Sequence, residues 1–183
     1  MHQCQGVTMV ELLATLAISS ILISLSLASF SAIDRHQADT AARDVLSLLN
    51  YARTEALSRQ SSIFVCPSSD NKTCSRPWAK NLVVFVDQNN DQQLDQGDHL
   101  LRELSLSQHR IRWRAFGNKT ALQYTPMGIT NYHNGTFTLC PNNTQASLAR
   151  NVIVNVGGRG YLGKDRNNNG IVETASGKDL TCP

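Results

Sequence analysis

Residues 12–33 carry no charge, and a single acid, Glu11, stands at the N-terminal edge of that run. As a helix rising about 1.5 Å per residue, a run of this length crosses the roughly 30 Å hydrocarbon core of a bilayer. Only Met1, His2, Gln3, Cys4, Gln5 and Gly6 precede Val7. A secretory signal would carry a basic start, a shorter apolar core and a small-residue cleavage site after that core. Here the small residue suited to cleavage, Gly6, comes before the apolar run. Cutting there leaves the hydrophobic helix on the mature chain.

That arrangement resembles the leader of class III type IV prepilins. The matching residues are Gly6 at the cut, Val7 as the new first residue, Glu11 fifth after the cut, and the apolar stretch that follows. In that family a membrane peptidase cuts after the glycine and methylates the new N-terminus, and the apolar helix becomes the filament core. The leader here holds His2 but no Lys or Arg, and Val7 stands where Phe or Met is more usual. A carboxylate in apolar surroundings is costly unless neutralised. The resemblance implies that the Val7 amine of a neighbouring subunit neutralises Glu11 and so sets axial register. The bland reading of Glu11 is a carboxylate resting at headgroup level.

The length of 183 residues suits one helix plus one small domain, and a mean hydropathy of −0.25 despite the apolar run makes the remainder polar. Cys4 falls in the leader, which leaves Cys66, Cys74, Cys140 and Cys182. In an exported domain an even number of cysteines reads as two disulfides, here with three possible connectivities. The expected pairing is Cys66–Cys74, closing a short polar loop, and Cys140–Cys182, tying the C-terminus to a strand. Each contributes about 2–4 kcal/mol on a chain-entropy estimate. The rival, a zinc site, lacks both a Cys-x-x-Cys pair and a histidine at ligand spacing.

Beyond the apolar run, Ala38, Ala41, Ala42, Val45, Leu48, Leu49, Ala52 and Ala56 recur at three- and four-residue steps. Arg35, Asp39, Arg43 and Arg59 fall on the opposite face. No Gly or Pro interrupts residues 7–60, so the pattern predicts one long helix; the alternative is two helices broken near 29–32. Strands are expected at 63–66, 82–86, 100–104 and 110–114, with weaker ones at 122–124, 135–140 and 151–156. Strict alternation places Ile111 and Trp113 inward, and Arg110, Arg112 and Arg114 outward. A helix followed by short strands suggests an α+β fold, the helix packed on an antiparallel sheet. The organisation read from the chain is a leader over 1–6, an apolar helix over 7–33 and a head over 34–183. The head combines the second half of the helix, 34–60, with a β-rich part, 63–183.

Ala52-Arg53-Thr54-Glu55-Ala56, then Val65-Cys66-Pro67-Ser68, Cys74, Trp78, Val84-Phe85-Val86-Asp87-Gln88-Asn89, Leu100-Leu101-Arg102 and the late Gly158-Arg159 are similar to the FimT/FimU/GspH group of minor pilins and pseudopilins. The resemblance covers nearly the whole chain. It implies a pilin-like head and a low-abundance subunit. The implied partners are other minor and major pilins and the prepilin peptidase. The implied location is the inner membrane, single pass with the head in the periplasm, and then the pilus.

Asp87, Asn89, Asp91, Gln93, Asp95 and Asp98 fall at loop positions 1, 3, 5, 7, 9 and 12, the spacing of a calcium loop. Gln92 stands where the sharp turn wants Gly, Asp98 replaces the longer Glu, and no second helix follows; a polar hairpin turn is the alternative. A second such run, Asp165, Asn167, Asn169, Gly170 and Glu173, has the glycine but fewer charges.

Basic residues dominate later. Arg102, Arg110, Arg112, Arg114, Lys119, Arg150, Arg159, Lys164 and Arg166 face only Glu103 and Asp165 in that part of the chain. Such an excess attracts phosphate backbones with strong salt dependence. In minor pilins resembling FimT, a C-terminal Gly-Arg-x-Arg segment binds DNA during natural transformation. Here the segment reads Gly158-Arg159-Gly160-Tyr161, with Lys164 and Arg166 nearby on backbone expected to be mobile. Tyr161 offers a ring for base stacking. These residues, with Arg110, Arg112 and Arg114 as a second patch, are the candidate contacts for double-stranded DNA. The alternative is a set of solvated strand and loop charges that discourage edge pairing. No acid or nucleophile lies at motif spacing from the histidines, so an enzyme is not expected, nor is a cofactor. The expected role is assembly at a pilus tip or initiation complex, with a type II secretion pseudopilin as the alternative.

Overall fold

The computed structural model describes residues 8–183 apart from 76, 77, 90, 92 and 96, with the side chains of 24–31 and 118 also left aside. One helix, α1 (Met9–Arg59), is followed by β1 (Ile63–Ser68), β2 (Asn81–Val86), β3 (His99–Ser105), β4 (His109–Ala115), β5 (Leu122–Tyr124), β6 (Gly135–Pro141), β7 (Arg150–Val154) and β8 (Gly160–Leu162). The chain divides into two units, Met1–Gln37 and Ala38–Pro183.

In the first unit the described apolar side chains, among them Met9, Leu13, Leu16, Ile18 and Leu22, are exposed. Three of its described hydroxyls bond within the helix: Thr15 Oγ1 donates to the Leu12 carbonyl, Ser19 Oγ to that of Thr15 and Ser20 Oγ to that of Ala17. Such back-bonding lets Ser and Thr sit in apolar surroundings without water.

The second unit holds the core. The expected helical stripe, from Ala38 through Ala56, is buried throughout. Small alanines bring the helix close, while Val45, Leu48 and Leu49 fill the space against Ile63, Val65, Leu82, Val84, Ile111, Trp113, Phe137 and Val152. The helix ends where Gln60 turns to φ 52 and its Nε2 donates to the Leu57 carbonyl, a left-handed cap made without glycine.

The strands form two antiparallel sheets, not one: β3-β2-β1-β5 and β4-β6-β7-β8. Strand patterns alone do not say which strands share a sheet. Alternation divides the packing. In β1, Ile63 and Val65 meet the helix, while Phe64 and Cys66 join Val83, Phe85, Leu94 and Ala121 on the far face. In the second sheet the far face carries Cys140, with Ala149, Val172 and Leu180 packed around it.

The two disulfides are Cys66–Cys74 and Cys140–Cys182. Each fastens an irregular segment over the outer face of one sheet. The first lies among the residues covering β1 and β2; the second holds the C-terminal segment over part of β6.

Candidate functional site

Gly6 and Val7, the cleavage and methylation residues, lie outside the described residues, as does the rest of the leader. The described chain opens with Thr8, which caps α1: its Oγ1 accepts from the Glu11 N–H at 3.3 Å, and its carbonyl accepts from Leu12 N–H at 3.1 Å. Thr-x-x-Glu is the sequence form of a capping box, a signal separate from the leader pattern. Glu11 therefore has a local role as an exposed acid in the first helical turn, where the helix dipole favours it. Among the described residues no helix is long and apolar enough to cross a membrane. The run over 12–33 includes 24–31, whose side chains are not described.

Three of the nine cations are tied into the fold. Arg102 lies over the Tyr51 ring at 5.1 Å. Arg110 lies over Trp78 at 5.7 Å and donates to the Pro183 carbonyl. Arg150 pairs with Asp39 of α1 at 2.6 Å and also donates to the Ser147 and Ala149 carbonyls. That pairing joins residues far apart in sequence, so local charge counting overstated the free basic surface.

Arg112 and Arg114 are exposed on β4, opposite buried Ile111 and Trp113, as alternation predicts. Register extends their face across the sheet. Arg114 pairs with Thr136, Thr136 with Ile153, and Ile153 with Tyr161. The two patches that looked separate in sequence, on β4 and near Tyr161, therefore occupy one face of one sheet. At about 4.8 Å per strand, three spacings put them about 14 Å apart.

The segment carrying Arg159 is not mobile backbone. Residues 155–159 form the β7–β8 turn: Gly158 N–H donates to the Asn155 carbonyl, Asn155 N–H to the Arg159 carbonyl, and Arg159 N–H to Asn155 Oδ1. The turn is pinned from two sides. Arg53 Nη2 of α1 donates to the Gly157 carbonyl, and the buried Thr130 bonds the Val156 carbonyl through its N–H and Oγ1. Gly158 has φ 78 and lies against Gly128 so closely that a Cβ would sit 2.1 Å from the Gly128 carbonyl oxygen. The Gly of Gly158-Arg159 is thus structural, and Arg159 is held exposed at a fixed point.

Lys164 and Arg166 do not cluster with Arg159. They follow β8 at its other end, about 16 Å away along an extended strand. Their neighbours are acidic: Glu173 accepts from the backbone N–H groups of Arg166 and Asn167, while Asp179 accepts from Asn167 and Asn169.

The acidic loop after β2 directs its oxygens to itself. Asp98 accepts from Gln88 and Asp95 N–H, Asp95 from Gly97 N–H, and Asp91 from Gln93 N–H. Asn89 Nδ2 lies 3.1 Å from both Asp91 and Asp95, placing an amide between the carboxylates. Asp87 is buried at the start of the loop. Residues 165–173 behave alike, with Asp165 accepting from Gly170 N–H and Asn167 from Asn169 N–H. Among the described residues no group of three or more His, Cys, Asp or Glu is placed to hold a metal ion. In both runs Asp and Asn side chains stabilise the turns they sit in.

Three further groups have displaced titrations. Asp70, accepting from Lys72 and Thr73 N–H, is held down to about 2. His109 is pushed down by burial and then by nearby Arg150; His133 is pushed down by burial, with Lys119 adding to it against the hydrogen bond to Ala121.

Comparison with known proteins agrees with this architecture. A family model described as type II transport protein GspH matches residues 41–158, and a prokaryotic N-terminal methylation motif matches residues 1–27. No curated protein is significantly similar to the chain. Among solved structures, the type IV minor pilin FimU of Pseudomonas aeruginosa strain PAO1 is similar in two crystal forms. The P21 form shares 20% identity with a TM-score of 0.55, covering 81% of this chain and 97% of that one. The P65 form shares 21% with a TM-score of 0.54, covering 79% and 99%. At that identity the likeness establishes the pilin fold, and the family match establishes descent. With a methylation motif ahead of a helix whose second half packs on antiparallel sheets, the chain belongs to the GspH family, within the FimT/FimU/GspH group of type IV minor pilins and pseudopilins.

Proposed function

We propose that this protein is a minor subunit of a type IV pilus, acting in assembly at the tip or initiation complex and binding double-stranded DNA with its head. The observation that carries the assembly role is the match of residues 1–27 to an N-terminal methylation motif directly before a pilin-fold head. Prepilin peptidase cuts after Gly6 and methylates Val7. The helix over 7–33 waits in the inner membrane with the head in the periplasm, then enters the filament core beside other minor and major pilins. There Glu11 pairs with the Val7 amine of a neighbour. The role is structural rather than catalytic. In the test, Glu11→Ala is processed normally but recovered from sheared pili at a small fraction of the wild-type level. Wild-type piliation in that variant would overturn the assembly role.

The DNA-binding reading is supported by Arg112, Arg114, Arg159 and Tyr161 lying on or beside one sheet face, with no Asp or Glu between Glu103 and Asp165 in the sequence. Phosphate contacts position a duplex and make its affinity fall steeply with salt. Binding of the detergent-solubilised full chain to duplex DNA should weaken with salt and on Arg159→Ala. Salt-insensitive binding, or none, refutes it.

The GspH family match favours a second reading, a type II secretion pseudopilin. Deleting the gene separates the two: loss of pili with normal secretion supports the pilus, and lost secretion with normal pili supports the pseudopilus.

A further inference from the structure

Three loops meet at one end of the β4-β6-β7-β8 sheet: residues 116–121 after β4, residues 125–134 before β6, and residues 155–159 between β7 and β8. Register fixes this, since Ala115 pairs with Gly135, Gly135 with Val154, and Val154 with Gly160. Phe116 N–H donates to the Asn134 carbonyl, and Thr130 N–H to that of Val156, so the loops are joined to one another. From this end two aromatic rings stand in solvent, Phe116 and Tyr132, each 70% exposed.

The presentation of Tyr132 is forced. Asn131 and Tyr132 have φ of 42 and 66, a conformation unfavourable for a bulky side chain. The flanking residues hold it there. Thr130 is fully buried with its Oγ1 on the Asn155 and Val156 carbonyls, and His133 is buried with its Nδ1–H on the Ala121 carbonyl. A turn anchored at both ends that keeps an aromatic ring exposed in a strained conformation is the kind of feature that clusters at binding sites.

The charged residues of these three loops, and Arg114 at the end of β4, are all basic. Arg114 lies two residues before Phe116, Lys119 is exposed in the same loop as Phe116, and Arg159 occupies the neighbouring turn. Ala121, at the end of the first loop, shares a buried cluster with Leu94 of the acidic loop, so that loop adjoins this end of the sheet from below the surface. Exposed rings beside cations, in loops that contain no Asp or Glu, match an unpaired nucleic-acid strand, whose bases offer free π-faces and whose phosphates need counter-charge. A duplex keeps its bases stacked on each other and cannot use the rings.

We infer that this loop end is a subsite for single-stranded DNA, with bases stacked on Phe116 and Tyr132 and phosphates on Arg114, Lys119 and Arg159. The inference rests on the DNA-binding reading above and adds the strand state at this end of the face. The test uses the full chain in detergent with labelled oligo(dT) and a duplex of equal length. Phe116→Ala and Tyr132→Ala should each weaken oligo(dT) binding roughly 5- to 150-fold, the range of a lost base–aromatic stack, and leave duplex binding unchanged. Phe116→Trp and Tyr132→Phe should keep oligo(dT) affinity, and the new indole should be quenched by oligo(dT) but not by duplex. If duplex binds and Arg159→Ala weakens it while no aromatic variant changes oligo(dT) binding, the subsite is refuted and the wider reading stands. If neither nucleic acid binds, both fail. If the alanine variants bind oligo(dT) normally but are lost from sheared pili, the surface holds a neighbouring subunit and the inference is overturned.

Discussion

A Cβ at Gly158 would meet the Gly128 carbonyl oxygen at 2.1 Å on a backbone with φ 78, so this position excludes side chains on two independent grounds. Gly158→Ala should cost about 1–3 kcal/mol, the usual range for such strain, measured as a fall in urea midpoint at unchanged slope. Arg159→Ala should leave the midpoint within about 0.5 kcal/mol, as exposed substitutions do. The adjacent residues thus divide the work, one building the turn and the other presenting charge from it. Titratable residues predict a pH profile. His109 and His133 have folded values below the ordinary histidine value, so their contribution is present above pH about 6.5 and is lost as pH falls through the depressed values. Asp70 adds a second loss, beginning below about 3.9 and completed as pH falls through about 2. Urea midpoints against pH should show both phases, and His133→Gln should reduce only the first.

Elements differ in how plainly the chain announces them. The stripe from Ala38 to Ala56 is legible because a helix buries every third or fourth residue, and all eight expected positions are buried. Alternation likewise identifies β4, with Ile111 and Trp113 in and Arg112 and Arg114 out. The three-residue β8 escapes notice because it begins with Gly160, is followed by Gly163 and is too short to alternate; only its pairing to β7 makes it a strand. The candidate site was legible as residue types and not as a place, since cross-strand pairing is what puts Tyr161 on the face of Arg114. The sheets also explain the disulfides. Each closes a segment over an outer face, and the loops differ in span, 42 residues for Cys140–Cys182 against 8 for Cys66–Cys74. Chain entropy then predicts losses of about 4 and about 2.5 kcal/mol on removal. Paired Cys→Ala variants compared by urea unfolding should reproduce that order. Without Cys140–Cys182, limited proteolysis should cut first after residue 163, where the segment is irregular and is then held to the sheet by the cluster around Val172 and Leu180 and by hydrogen bonds from Asn151 and Arg110.

At the scale of the molecule, the helix start and the basic sheet face belong to different units, and the proposed function gives them separable tasks. Variants at one should leave the other intact, so a change in DNA affinity can be read without reference to assembly. The face itself sets a direction. A duplex lying across the strands meets Arg112 and Arg114, then Tyr161 and Arg159, within about 14 Å. A duplex lying along β8 would run from Arg159 toward Lys164 and Arg166, where Asp165, Glu173 and Asp179 oppose the basic field. Repulsion by those carboxylates favours the crossing path. Counterion release turns the choice into a number, because each phosphate deprived of its protein cation flattens the slope of log affinity against log salt by about 0.9. Arg112→Ala, Arg114→Ala and Arg159→Ala should each flatten it by about that amount, and together by about 2.7, while Lys164→Ala and Arg166→Ala leave it unchanged. Equal effects at Arg159, Lys164 and Arg166, with none at Arg112 and Arg114, would place the duplex along the strand instead.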